Sequence, residues 1–120
     1  MYDHIGLRTS NLDASVRFYT AALASLGHVL GSRDSSSAGF GAKDAPAFCL
    51  YAADGASSAG AHVAFRASDR AAVDAFHKAG LKAGGRDNGA PGLRRDYSPG
   101  YYAAFLLDPD GNNIEAVYLK

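Results

Sequence analysis

Apolar positions in this chain fall into two helical stripes separated by short alternating runs. Leu12, Val16, Tyr19, Leu23 and Leu26 recur every three or four residues and predict an amphipathic helix. Ser10 or Asn11 can cap it, Asp13 suits its first turn, and Gly27 is placed to end it. The loose alternation of Tyr2 to Arg8 predicts a strand before it. After it come a strand from His28 to Arg33, a Ser35-Ser36-Ser37 turn, a short strand near Phe40 and a strand from Ala47 to Ala52. Asp54 to Gly60 is a loop of small residues. Val73, Phe76 and Ala79 begin a second helical stripe, with Gly80 as its stop. Residues 88–100 hold several glycines and two prolines and show no period, which predicts an irregular segment, a lid or a plain connector.

The last stretch is the most informative. Apolar and aromatic residues from Tyr101 run into Asp108-Pro109-Asp110-Gly111, and a second short run follows from Asn112 to Tyr118. Pro109 presets φ for the first central position of a type I turn, and Gly111 can close it in the left-handed region as a G1 bulge. Such a loop pairs Asp108 with Asn112 and therefore Phe105 with Glu115. Tyr101 and Phe105 then share the face of Glu115, and Tyr102 faces a helix. A carboxylate on an inward face needs a cation or a donor beside it.

The two stripes belong to an internal repeat. Residues 4–11 read His-Ile-Gly-Leu-Arg-Thr-Ser-Asn and residues 62–69 read His-Val-Ala-Phe-Arg-Ala-Ser-Asp, identical at three positions. Val16, Tyr19 and Ala22 are answered by Val73, Phe76 and Ala79. Phe48-Cys49-Leu50-Tyr51 aligns with Ile114-Glu115-Ala116-Val117. The chain thus reads as one domain over residues 1–120, of α+β class, made of two strand–helix–strand–strand–strand modules at about 1–55 and about 58–120. Alternation along a strand puts His4, Gly6 and Arg8 on one face and His62, Ala64 and Arg66 on the matching one. His4, His62 and Glu115 can then converge inside a curved sheet. Two imidazoles and one carboxylate with open positions commonly hold a catalytic divalent metal.

Composition narrows the classes. Twelve basic and twelve acidic side chains give a formal net charge of zero, so nothing points to nucleic acid or to a membrane surface. No apolar stretch approaches membrane-spanning length. A single cysteine, Cys49, excludes an internal disulfide, and with no basic, apolar leader at the N-terminus the expected setting is cytoplasmic.

Asp3-His4-Ile5-Gly6-Leu7, Phe18-Tyr19, His62-Val63-Ala64-Phe65 and the run from Phe105 through Asp108-Pro109-Asp110-Gly111-Asn112-Asn113-Ile114-Glu115 resemble the vicinal oxygen chelate superfamily. That superfamily includes glyoxalase I, bleomycin-resistance proteins, extradiol dioxygenases and fosfomycin-resistance thiol transferases. The resemblance spans essentially the whole chain. It implies paired βαβββ modules forming a curved mixed-sheet cup, a homodimer, a small-molecule substrate, and one divalent metal ion (Zn, Mn, Fe, Ni or Co) on His4, His62 and Glu115. It implies a lyase or isomerase acting on adjacent oxygens, with a metal-free binding protein of the bleomycin-resistance type or an extradiol-type dioxygenase as the alternatives. Two departures stand out. Cys49 occupies the place of glyoxalase I's second glutamate, and Phe105 that of the extradiol tyrosine. Metal-bound water, Tyr101 and Glu115 are therefore the candidates for proton transfer. Arg8, Arg66, Arg94, Arg95, Tyr97, Cys49 and Phe105 are the candidates for substrate contact.

Overall fold

The computed structural model describes residues 1–55 and 60–120. The first module runs β1 (Ile5–Thr9), α1 (Leu12–Ala24), β2 (Val29–Arg33), β3 (Ser37–Ala42) and β4 (Ala45–Ala52). The second runs β5 (His62–Arg66), α2 (Arg70–Lys82), β6 (Arg86–Leu93), β7 (Tyr101–Leu107) and β8 (Asn113–Leu119). Each module forms its own four-stranded mixed sheet, in the orders β1-β4-β3-β2 and β5-β8-β7-β6. The first and last strands of each module are parallel, and the other pairs are antiparallel. This is the expected α+β, two-module, glyoxalase-like architecture. The loop expected over Asp54–Gly60 lies partly outside the described residues.

Local chemistry explains the element ends. Asn11 caps α1 by accepting from the Ala14 N–H at 3.0 Å, and Asp69 caps α2 by accepting from Ala72 at 2.7 Å. Beyond α1, Gly27 at φ +86° lets the His28 N–H reach the Leu23 carbonyl at 3.0 Å. The second helix does not stop at Gly80. It continues to Lys82, and Gly84 at φ +101° turns the chain. Gly80 is instead a packing residue inside the helix: a Cβ there would lie 2.3 Å from Leu106 Cδ1 and 3.2 Å from Phe18 Cε1. Gly85 likewise makes room for Phe18, whose ring enters the slot from α1.

Residues 88–100 are also more regular than their composition predicts. Most of the segment up to Leu93 belongs to β6, an edge strand whose pairing with β7 shifts twice, between Asp87 and Gly89 and between Gly89 and Gly92. An edge position with bulges tolerates Pro91, which has no N–H to give. Only residues 94–100 form an irregular turn.

One core joins the modules. Phe18, Tyr19 and Leu23 of α1, Phe40, Phe48 and Leu50 of the first sheet, and Phe76, Leu106 and Ile114 of the second module are all buried in it. Tyr102 faces α2 as expected, its hydroxyl donating to Asp74 at 2.6 Å. A polar joint completes the contact. The Tyr19 hydroxyl donates to Asp108 Oδ2 at 2.5 Å, and Asp108 also accepts from the Asn112 and Asp110 backbone N–H groups, both at 2.9 Å. Burial, and then the Asp108 charge, push the Tyr19 phenol well above its ordinary range, so it remains a donor. Asp110 accepts from the Ser10 N–H at 3.0 Å and the Ser10 hydroxyl at 2.8 Å, tying the turn to the start of α1.

Tyr19→Phe deprives a buried carboxylate of a donor and should lower the unfolding free energy by about 1–3 kcal/mol in a denaturant titration. Burial raises the Asp110 carboxyl, but hydrogen bonds from Thr9, Ser10 and Ser15 outweigh it and hold the group below the ordinary aspartate range. A depressed folded pKa gives stability that is present above the unfolded value and lost as pH falls through the folded one. Acid unfolding curves of Asp110→Asn should therefore fall less steeply below about pH 4 than those of the parent.

Candidate functional site

The β7–β8 hairpin builds the centre of the site. Its turn closes as the sequence predicts, with Gly111 at φ +90°, its N–H donating to the Asp108 carbonyl at 2.9 Å, and Asp108 N–H meeting Asn112 O at 3.0 Å. The resulting register pairs Phe105 with Glu115 and Tyr101 with Leu119. Parallel pairing of β5 with β8 adds Ala64 opposite Glu115 and His62 opposite Asn113. Tyr101, Phe105, Glu115, His62 and Asn113 therefore share the face turned away from the helices.

Glu115 is the focus of that face. It is only 2 % exposed, although Ala64 beside it is open to solvent. Its Oε1 is hydrogen-bonded to His62 Nε2 at 2.9 Å, and its Oε2 accepts a short hydrogen bond from the Tyr101 hydroxyl. Both carboxylate oxygens are thus engaged, which is what a buried carboxylate requires. Burial, followed by the hydrogen bond to Glu115 and its charge, pushes the Tyr101 phenol up to about 12. At neutral pH Tyr101 is a donor.

A polar cavity of about 300 Å³ opens beside this cluster, lined by Asn88, Gly89, Arg94, Tyr97, Phe105 and Asn113. The Arg94 guanidinium lies over the Phe105 ring at 5.3 Å. Tyr97 meets Tyr101 edge-on with ring centroids 5.0 Å apart. Arg94, Tyr97 and Phe105 are thus gathered around one space, whereas Arg95 is exposed outside it. Asn88 and Asn113 had no signal as single residues. Asn113 was readable from alternation, since it stands two residues before Glu115 on the same face. Its carbonyl oxygen accepts from Asn88 Nδ2 at 3.2 Å.

The first module presents a different surface. Cys49 pairs with Gly6 as Glu115 pairs with Ala64, so the alignment of the two halves holds in three dimensions. Cys49 is partly exposed, and chiefly its presence raises the neighbouring Tyr51 phenol. The Tyr51 ring covers Gly6, where a Cβ would lie 2.7 Å from Tyr51 Cε2. Arg8 and Arg66 stand on the exposed outer strands β1 and β5, away from the Arg94 cavity.

His4 lies just before β1, with Nδ1 2.7 Å from Asp3 Oδ1 and a largely exposed ring. It does not meet His62 and Glu115 within the chain. Among the described residues, no three His, Cys, Asp or Glu side chains converge as a metal-binding group. The chain brings together two donors of the expected three, His62 Nε2 and the Glu115 carboxylate. His77 is occupied elsewhere, paired with Asp87 at 2.9 Å between α2 and β6. His28 lines a separate apolar cleft with Leu23, Phe40, Phe48 and Phe65.

Comparison with known proteins agrees with this fold. Residues 2–116 match the family model described as the Glyoxalase/Bleomycin resistance protein/Dioxygenase superfamily. A crystal structure of a glyoxalase/bleomycin resistance protein from Albidiferax ferrireducens T118 is 31 % identical, with a TM-score of 0.85, over 100 % of this chain and 99 % of that one. A mutant glyoxalase I from Zea mays is 25 % identical with a TM-score of 0.73, over 96 % of this chain and 45 % of that chain. A glyoxalase-related enzyme from Fulvimarina pelagi shares the fold at 18 % identity, with a TM-score of 0.75 over 95 % of this chain and 84 % of that one. No curated protein matches the chain.

Glu115→Gln removes the charge that adds to burial in holding the Tyr101 proton. NMR titration of ring-labelled tyrosine should find the Tyr101 transition, near pH 12 in the parent, moved towards 10 in that variant. An unmoved transition would mean that Glu115 does not control this phenol.

Proposed function

This chain belongs to the glyoxalase/bleomycin resistance protein/dioxygenase superfamily, and on that basis we propose that it is a divalent-metal-dependent enzyme acting on a small substrate with adjacent oxygens. The reaction class is lyase or isomerase chemistry of the glyoxalase type. The observation that carries the reading is the buried Glu115 carboxylate, held between His62 and Tyr101 on a face otherwise open to a ligand.

His62 and Glu115 are two of the donors that would hold the ion, and the His4 imidazole of a second copy is the third. Bound there, a divalent ion supplies Lewis acidity that stabilises negative charge on a substrate oxygen. Tyr101, with a pKa of about 12, keeps its proton and orients one Glu115 oxygen. Glu115 is the only carboxylate in this cluster, so it is assigned the role of proton acceptor. In the metal-free chain His62 Nε2 holds the other oxygen. Cys49 stands where a second carboxylate would, and the first module therefore contributes wall rather than acid–base chemistry.

A homodimer is part of the proposal. The strands β1 and β5 are unpaired edges of their sheets, and their outer faces are exposed. Exposed edges invite pairing with another chain. Setting β1 of one copy against β5 of another supplies the missing imidazole. A metal-free binding protein is the second reading, favoured by the fact that one chain gathers only two donors.

Elemental analysis of protein purified without a His-tag should find near-stoichiometric metal, and none in a His4→Ala, His62→Ala, Glu115→Ala variant. Mixing the separate His4→Ala and His62→Ala proteins should restore part of the metal, because a mixed dimer regains one intact site. No uptake by the parent after loading with Zn, Mn, Fe(II), Ni or Co would leave the binding-protein reading in its place.

A further inference from the structure

Among the described residues, Arg94 is an arginine seated by the fold without a carboxylate partner. It closes β6, and its side chain folds back across that strand. Two glycines lie against it. A Cβ at Gly89 would lie 3.2 Å from Arg94 Nη2, and one at Gly92 would lie 3.1 Å from Nη1. The guanidinium is then held by the Ala90 carbonyl, which accepts from Nη2 at 2.6 Å, and by the Phe105 ring beneath it. Among the described residues no carboxylate lies within ion-pair distance of it. Most of its N–H donors are left over, since a guanidinium carries five.

The surroundings say what those donors face. Of the residues lining the 300 Å³ cavity, Arg94 is the only charged one, and the polar remainder are the neutral Asn88, Asn113 and Tyr97. Phe105, under the guanidinium, is the cross-strand partner of Glu115, and Asn113 stands two residues from it on the same face. The cavity thus adjoins the Glu115 cluster through Phe105 and Asn113. A guanidinium fixed in plane and free of a counter-charge is matched by a planar carboxylate, which it can engage through two parallel hydrogen bonds. One guanidinium matches the single charge of a monoanion. A dianion such as phosphate would carry an excess charge towards Glu115.

We propose that Arg94, with Asn88 and Asn113, is the subsite for a substrate carboxylate, so that the protein acts on a small monocarboxylate whose reacting end lies at Glu115 and Tyr101. This rests on the reading of that face as the substrate side. It adds a charge to the substrate class and an anchor that fixes its direction. Phe105 and Tyr97 give the cavity aromatic surface, so a planar body on the carboxylate is favoured.

The test uses benzoate as the probe and the full chain without added metal, followed by isothermal titration calorimetry. Benzoate should bind saturably. Arg94→Gln should weaken it by about tenfold or more, Arg94→Lys by less, and Lys78→Gln on the far helix not at all. Benzyl alcohol, of the same shape but uncharged, should bind at least tenfold more weakly than benzoate. Equal affinity of parent and Arg94→Gln for benzoate, equal binding of benzyl alcohol, or preference for inorganic phosphate would each overturn the proposal. Absence of saturable benzoate binding to the parent would do the same. Circular dichroism confirms that the variants are folded. Metal uptake is scored separately: its absence with Arg94-dependent benzoate binding defeats the metalloenzyme reading alone, and its presence with Arg94-independent binding defeats the carboxylate subsite alone.

Discussion

The buried carboxylate of Asp108 is the constraint on which the rest of the molecule hangs. It gathers a phenol from α1 and backbone N–H groups from its own turn, so one side chain fixes both the closure of the hairpin and its place against the first module. Register is the reason this matters for chemistry. A slip of one residue in β8 would turn Glu115 into the shared core and Ile114 out to the face turned away from the helices. The hairpin turn thus specifies which side of the sheet bears a charge. Beside the polar joint, Phe18 wedges between Gly80 and Gly85, so consecutive residues of α1 supply an apolar and a polar lock to the second module.

The internal repeat was legible because its signals are local. Matching strand–helix junctions, helical stripes and the Asp-Pro-Asp-Gly turn each act over a few residues, and the structure keeps the equivalence of Cys49 with Glu115 that alignment suggests. What the sequence concealed depends on distant neighbours. Gly80 reads as a helix stop until Phe18, more than sixty residues earlier, is seen to need the space. Residues 88–93 read as irregular because bulges in an edge strand spoil the alternation that reveals ordinary strands. The separation of His4 from His62 and Glu115 within one chain was equally hidden, since it is set by how the two sheets sit around their helices.

The candidate site was legible in part. Its centre, with Tyr101, Phe105 and Glu115 on one face, follows from counting along two strands from a recognisable turn. Arg94 was visible only as one of several basic residues. It lies against Gly89 and Gly92, whose missing side chains are silent in a pattern of hydrophobic and polar positions. Asn88 and Asn113 meet across the face of the second sheet, and nothing in their own identity announces it.

Two halves that began alike have become unlike at one matched pair of positions. Glycine and cysteine face each other in the first sheet where alanine and a held carboxylate do so in the second. The second sheet buries a charge where the first carries a thiol, so the two matched strands keep one backbone plan and differ in polarity.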